Sequence, residues 1–128
     1  SILDNYKDTS NNLINKTPFF IWSKDGKRTN INKVTSQLNI LPTTLNLFGI
    51  NYNSNNYIGK DALDPNYEGI VFFSDYSWYD GSIYVENGEI TNNKNATYEY
   101  LEEKNYYISH LTKKNDLALK YNYFKNHK

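Results

Sequence analysis

The sequence has 128 residues and no cysteine, so it can form neither a disulfide framework nor a thiolate metal site. Its 14 basic and 14 acidic residues balance, and they are interspersed, so no basic patch of the kind that binds nucleic acid is visible. No apolar run approaches the roughly 18 residues that a helical membrane span requires. These absences exclude a disulfide-stapled scaffold and argue against a nucleic-acid partner.

Aromatic residues are abundant instead, with thirteen tyrosines, six phenylalanines and two tryptophans. Asparagine, lysine and isoleucine are also frequent, so a bias of the coding sequence toward A and T explains the tyrosines better than a binding role. A chain of this length makes one domain or part of one, with a core of modest size.

A short helix is predicted over residues 39–48. Asn39 can accept from a free N–H at the helix start, Pro42 is tolerated in the first turn, and Gly49 suits a left-handed position after the last turn. Apolar side chains surround most of this helix, so we expect it to be buried, most naturally against a sheet.

Before this helix, the apolar run at 17–23 predicts a strand covered on both faces, as inside a mixed sheet. Asp25-Gly26 predicts a turn after it. Residues 30–37 are expected to be extended, and residues 1–16, which are polar and rich in asparagine, to be a loose lead-in.

The second half of the chain predicts a small antiparallel meander and a final helix. Strands are expected at 69–74, 81–85 and 89–91, and Asn87-Gly88 is a strong signal for a type I′ hairpin turn. From Tyr98 to about Tyr121, apolar residues recur at helical spacing. They are Leu101, Tyr107 or Ile108, Leu111, and 117–119.

Several segments together resemble the C-terminal part of sulfatase-like enzymes of the alkaline phosphatase superfamily. The nearest resemblance is to the lipoteichoic acid synthase and phosphoglycerol transferase group. Asn39 stands where that family often carries Asp, which keeps a capping side chain but loses an ion pair. The segments that carry the resemblance are the apolar run at 17–22, the helix and glycine at 39–50, Gly-Lys-Asp-Ala-Leu at 59–63, the strand and Ser-Trp at 70–78, and Asn-Tyr-Phe at 122–124.

The resemblance implies an α+β fragment of an α/β sulfatase-like fold. Residues 17–66 would be the end of the main core, with a buried strand and a short helix, and 67–128 a small antiparallel sheet with a long C-terminal helix. Because the chain opens at Ser1 without a Met or a signal peptide pattern, we expect it to be an excised piece of a longer protein. Family members are usually polytopic membrane proteins whose enzymatic domain lies outside the cell. The lack of cysteine is compatible with an exported protein of a Gram-positive type bacterium.

The resemblance also implies a threonine nucleophile and a divalent cation, typically manganese, which neutralises the transferred phosphoryl group. The family's ligands include an Asp-His pair, which this sequence lacks; its histidines are His110 and His127. In the family, the nucleophile and ligands precede the strand that begins here at Thr17. We therefore expect no catalytic residue, no metal ligand and no cofactor in this chain, and a structural role for the Thr43 hydroxyl.

Tyr76, Ser77 and Trp78 are the candidate substrate-proximal residues, because they follow the first strand of the meander near the family's active-site mouth. An exposed Trp78 would stack on a glycerol or sugar unit, whereas a partly buried core tryptophan is the commoner situation. The expected location of these residues is a loop shared with Tyr79 and Asp80.

Two classes of function remain open. In the first, the chain completes an extracellular phosphoglycerol transferase, whose partners are the rest of its catalytic domain and a lipid-linked glycerophosphate substrate. In the second, it is a stand-alone cell-surface module that binds a glycan or polymer through exposed aromatics. Separation from the rest of a catalytic domain would expose apolar surface on the strand and the 39–48 helix, so we also expect self-association.

The expected absence of metal ligands is testable with manganese. Isothermal titration of the purified chain with Mn²⁺ should give no tight, stoichiometric site, because no Asp-His pair is present to supply one. A one-to-one site in that titration would contradict this reading of the sequence.

Overall fold

A computed structural model of the protein describes residues 18–92 and 94–126, with the backbone alone described for Asn126. The chain divides into two units, Ser1–Asn30 and Ile31–Lys128. The predicted lead-in at 1–16 lies outside the described residues. The second unit is a small α+β fold whose elements are α1 (Ile40–Leu47), β1 (Val71–Phe72), β2 (Trp78–Tyr79), β3 (Tyr84–Glu86), β4 (Glu89–Ile90), α2 (Tyr98–Lys120) and α3 (Tyr123–Asn126).

The described part of the first unit corrects the predicted buried strand. Residues 18–23 form no strand, and their apolar side chains are exposed, by 85% for Phe20 and 83% for Trp22. The predicted turn is present, with the Gly26 N–H donating to the Ser23 carbonyl at 3.3 Å. An apolar run does not by itself provide hydrogen-bond partners for its backbone N–H and C=O groups. A strand forms only where a neighbouring strand supplies those partners.

Helix α1 ends as the sequence predicts. Gly49 has φ +64, the left-handed conformation that glycine adopts at least cost. Its N–H donates to the Asn46 carbonyl and the Ile50 N–H to the Leu45 carbonyl, each at 2.9 Å. This pair of bonds is the Schellman motif, which satisfies carbonyls left open at a helix end.

The start of α1 differs from the prediction. A 3₁₀ turn, Gln37–Asn39, precedes the helix, and Ser36 caps that turn by accepting from the Leu38 N–H at 3.3 Å. The Asn39 side chain therefore makes no cap bond to α1 and accepts from the Ser36 N–H at 2.7 Å. Because the added turn moves the first free N–H groups upstream, the capping role passes from Asn39 to Ser36.

The expected burial of α1 is also wrong for most of its apolar side chains. Leu41 and Leu47 are each 52% exposed and Phe48 is 74% exposed, whereas Pro42 and Thr43 are buried. The covered side of this helix carries Pro42 and Thr43, while Ile40 and Leu45 are half-buried. Pattern alone identified a helix with apolar groups nearly all round, but not which side would be covered.

The sheet is the predicted antiparallel meander with one additional strand, in the order β1-β2-β3-β4. Phe72, Trp78, Val85 and Ile90 pair across the four strands and so lie on one face. The sequence placed Trp78 in a loop, because a two-residue strand between turn residues is too short to show alternation.

Backbone conformation at the β3–β4 turn confirms the predicted hairpin. Asn87 has φ 52 and Gly88 φ 83, so both central residues are left-handed, as a type I′ turn requires.

Helix α2 covers the sheet and completes the core. Ile108 is 1% exposed and packs on Trp78 and Val85, which are both fully buried. Thr97 caps the helix by accepting from the Tyr100 N–H at 3.3 Å. The predicted apolar stripe holds through Leu111, but Leu117 and Leu119 are 44% and 66% exposed. The last turns of α2 therefore leave two leucines of the stripe exposed.

Within the described ranges, no helix combines the length and the apolar character that crossing a membrane requires.

A close backbone contact joins the start of α1 to the segment that follows it. A Cβ added at Gly59 would lie 1.8 Å from the Leu38 carbonyl oxygen, far inside van der Waals contact. Only glycine fits there, which gives the glycine of the 59–63 motif a packing role.

The core contact of α2 predicts the effect of truncation. Ile108→Ala should lower the free energy of unfolding by about 3 kcal/mol, through lost burial and the cavity left between α2 and the sheet. Urea denaturation monitored by circular dichroism measures this. Leu119→Ala, on the same helix but exposed, should change stability by less than about 0.5 kcal/mol. Equal losses in the two variants would contradict the assigned core.

Candidate functional site

The three predicted site residues lie at the β1–β2 hairpin. Its loop is Ser74, Asp75 and Tyr76, closed by the Tyr76 N–H donating to the Phe73 carbonyl at 3.1 Å. Tyr76 has φ 66, a left-handed conformation that is uncommon for a side chain of this size, and it is 50% exposed. A hairpin loop of three residues commonly needs a left-handed residue at its end, which accounts for this backbone.

Ser77 is fully buried and bonded within the hairpin. Its hydroxyl donates to Asp75 Oδ1 at 2.6 Å and accepts from the Tyr84 hydroxyl at 3.2 Å. The Ser77 hydroxyl, with the Ser77 N–H, lowers the pKa of the Asp75 carboxyl below its ordinary value by stabilising the charged form. This arrangement closes the turn and leaves the Ser77 hydroxyl no path to a substrate in this conformation.

Trp78 is the core tryptophan of the molecule. Its indole N–H donates to Asn105 Oδ1 at 2.8 Å, and its ring lies edge-on to Tyr100 with centroids 6.3 Å apart. Of the three candidates, Tyr76 alone presents a ring that a ligand can contact. A substrate-proximal role for the hairpin stays a prediction, now centred on Tyr76.

Polar side chains of α1 and its preceding turn fix the neighbouring 60–62 segment. Asn39 Nδ2 donates to the Lys60 carbonyl at 2.8 Å, Asn46 Nδ2 to Asp61 Oδ2 at 2.6 Å, and Thr43 Oγ1 accepts from the Ala62 N–H at 2.9 Å. Residues 39, 43 and 46 share one helix face. The structural role predicted for the Thr43 hydroxyl is confirmed by its bond to Ala62.

A groove of about 610 Å³ lies between residues 60–70 and α2. We call it the α2 groove; its lining includes Tyr67, Ile70, Tyr107 and Leu111. This volume is in the range of small-molecule sites. The sequence gives no sign of this groove, because its two walls are about forty residues apart and one of them, residues 60–70, has no periodic pattern.

Two lysines of α2 that line this groove each bond to a residue outside the helix. Lys104 Nζ contacts Glu68 Oε2 at 2.6 Å and Glu103 Oε1 at 3.1 Å, while Lys114 Nζ donates to the Asn55 carbonyl at 3.3 Å. Ten residues of helix separate the two lysines, a distance of about 15 Å. Both lysines already have hydrogen-bond partners.

Burial and charge shift the ionisation of groups along this face. Burial of Lys104 opposes its charge, but hydrogen bonds to Glu68 and Glu103 outweigh burial, so its pKa lies above the ordinary 10.5. Burial is the main cause that raises the pKa of Tyr107 above its ordinary value, followed by the charge of Glu68. Lys104 thus stays cationic at neutral pH, and the Tyr107 hydroxyl stays protonated.

Asp80 joins α2 to the sheet beside Lys104. Its Oδ2 accepts from the Tyr100 hydroxyl at 2.8 Å, and its Oδ1 accepts from the N–H groups of Ser82 and Ile83 at 2.8 and 2.9 Å. Burial of the phenol and this bond to a carboxylate raise the pKa of Tyr100 to about 12.

No group of three or more His, Asp or Glu side chains in the described residues is arranged to hold a metal ion. His110 Nδ1 lies 2.9 Å from the Tyr106 carbonyl oxygen one turn earlier, and its ring lies over the Tyr106 ring. His127 lies outside the described residues.

Comparison with known proteins gives no family model that matches this sequence, and neither a curated protein nor a solved structure matches it significantly.

The raised pKa of Tyr100 predicts that the folded protein loses stability at high pH. Because its folded pKa of about 12 exceeds the ordinary 10.0, its contribution is complete below about pH 10 and is lost as pH rises toward 12. Tyr100→Phe should cost about 1.5 kcal/mol at about pH 9 and should lose less stability than the unmodified protein on going to about pH 11.5.

Urea midpoints at the two pH values measure this difference. Tyr106→Phe is the matched control, since the Tyr106 hydroxyl has no hydrogen-bond partner among the described residues. If the Tyr100→Phe and unmodified proteins lose the same stability between the two pH values, the Tyr100–Asp80 bond does not contribute as assigned.

Proposed function

We propose that the chain is the C-terminal segment of a membrane-anchored, extracellular phosphoglycerol transferase similar to lipoteichoic acid synthases, or of a related sulfatase-like enzyme. It is catalytically inert by itself, because the nucleophile and the ligands of the divalent cation, manganese in the group it resembles, precede Ser1. Its role is to complete the catalytic domain that acts on a lipid-linked glycerophosphate.

The observation that carries this proposal is the exposure of apolar side chains on and next to α1. Its polar residues bond to the 60–62 segment of its own unit, while Leu41, Leu47 and Phe48 are exposed. Exposed apolar side chains grouped on one short element are typical of a surface that packs on another protein part. An α1 that packs on the remainder of a catalytic domain accounts for this exposure.

Contact between two of the motifs that carry the resemblance adds support. Thr43 of the 39–50 segment bonds to Ala62 of the 59–63 segment, and Gly59 lies against the Leu38 backbone. The two motifs thus form one structural unit, and this contact gives a physical reason for the spacing between them in the sequence.

The codons upstream of Ser1 provide the test. The proposal expects an open reading frame that encodes several membrane spans, a threonine nucleophile and a Gly-Asp-His segment. If translation of the messenger RNA begins at or next to Ser1, the proposal is wrong.

Self-association follows from the same exposed face. At high concentration, light scattering should detect dimers or larger species, and the double variant Leu41→Ser, Phe48→Ser should shift the protein toward monomer, because it removes apolar area from the contact. Circular dichroism should show an unchanged fold, since both side chains are exposed.

Leu119→Ser is the control for this experiment, because Leu119 is equally apolar and 66% exposed but lies on α2. It should leave association unchanged. An unmodified protein that stays monomeric at high concentration would contradict the assigned contact face.

A second candidate function is supported by the tyrosines of α2. Tyr106 is 65% exposed and Tyr107 38% exposed, and both line the α2 groove. We propose, as the alternative, a cell-surface module that binds a glycan or polymer through such rings. Aromatic faces and polar groups together suit a ligand with both C–H and hydroxyl surface.

A further inference from the structure

The α2 groove has the dimensions and lining of a small-molecule site. It measures about 610 Å³, and its apolar and aromatic lining includes Tyr67, Ile70, Tyr107 and Leu111. Pockets of this size that are mostly apolar, with a few convergent polar groups, are the usual form of ligand sites. Groups with shifted ionisation also gather here, since Tyr67, Lys104 and Tyr107 all line it.

The charge of the lining favours a neutral ligand. Three lysines and four carboxylates line the groove, so the two signs nearly cancel. Lys104 is already paired with Glu68 and Glu103, and Lys114 is bonded to the Asn55 carbonyl. A strongly anionic or cationic ligand therefore finds no matching excess of charge.

Polar groups with spare hydrogen-bonding capacity face the same depression. The hydroxyls of Tyr106 and Tyr107 have no partner among the described residues, and Asp64 uses only Oδ1, which accepts from the Asn66 N–H at 2.8 Å. His110 Nδ1 lies against a carbonyl oxygen, so in the neutral ring Nδ1 carries the proton and Nε2 is an acceptor. Phenols, a carboxylate and an imidazole suit a ligand with many hydroxyls.

We propose that the α2 groove binds a short neutral oligosaccharide, with the Tyr107 ring against a sugar face and Asp64 accepting from sugar hydroxyls. This inference rests on the second proposed function, a glycan-binding role, and names its site and ligand class. It is independent of any descent from sulfatase-like enzymes.

The shape of the groove disfavours a peptide. An added strand needs a sheet edge, but the walls here are a helix and the irregular 60–70 segment. A docked helix needs an apolar channel, whereas the Lys104–Glu68 ion pair lies in the lining of this groove.

The test uses the full chain and neutral trisaccharides built from glucose or N-acetylglucosamine, observed by saturation-transfer NMR and by amide shifts. Binding is expected at millimolar dissociation constants or tighter, with shifts concentrated at Tyr107 and Leu111. Tyr107→Ala should weaken binding about tenfold, because it removes the stacking ring. Tyr98→Ala, on the same helix outside the groove, should not change it.

A second variant guards against a folding defect, since Tyr107 is only partly exposed. Asp64→Asn is exposed and should keep the fold while weakening binding several-fold, because an amide replaces the carboxylate acceptor.

Each contrary result has its own meaning. Binding that is unchanged in both groove variants would overturn the site while leaving a glycan-binding function in place. No saturable binding up to about 10 mM of any trisaccharide would overturn both. Tighter binding of glycerol 3-phosphate or of a tetrapeptide would overturn the neutral saccharide as the ligand class.

Discussion

Packing of Ile108 against Trp78 and Val85 holds the second unit together. Four strands of two or three residues have too few backbone bonds to persist by themselves, so the sheet depends on the apolar face that α2 covers. The bond from the Trp78 indole to Asn105 sets the rotation of α2 over that face. Once α2 is set, Tyr100 reaches Asp80 and Lys104 reaches Glu68, and this last pair forms part of the lining of the α2 groove.

Local structure could be predicted from the sequence, because each of its signals involves only a few neighbouring residues. Gly49, the Asn87-Gly88 turn and the span of α2 were all predicted, since a left-handed turn or a helical stripe leaves its mark within one element. The pairing of strands could not be predicted in the same way. The run at 18–23 is apolar enough for a strand, yet nothing within it specifies a neighbour, and β2 is too short to announce itself.

The candidate site shows the same division. Tyr76, Ser77 and Trp78 drew attention by sequence, but burial separates them into two structural residues and one exposed ring. Only one wall of the α2 groove, the helical stripe through Tyr107 and Leu111, could be predicted from the sequence, because the other wall is irregular. A site built from a helix and a distant loop becomes visible only when the fold brings them together.

The contact of Gly59 with the Leu38 backbone has a mechanical consequence. With the bonds from Asn39, Thr43 and Asn46, it fastens α1 to residues 60–62, so these parts move as one body. Lys60 and Asp61 of this segment also line the α2 groove. A partner that displaces α1 would therefore move this segment and reshape the groove. Conversely, a ligand bound in the groove would fix the orientation of α1 and of its exposed apolar side chains.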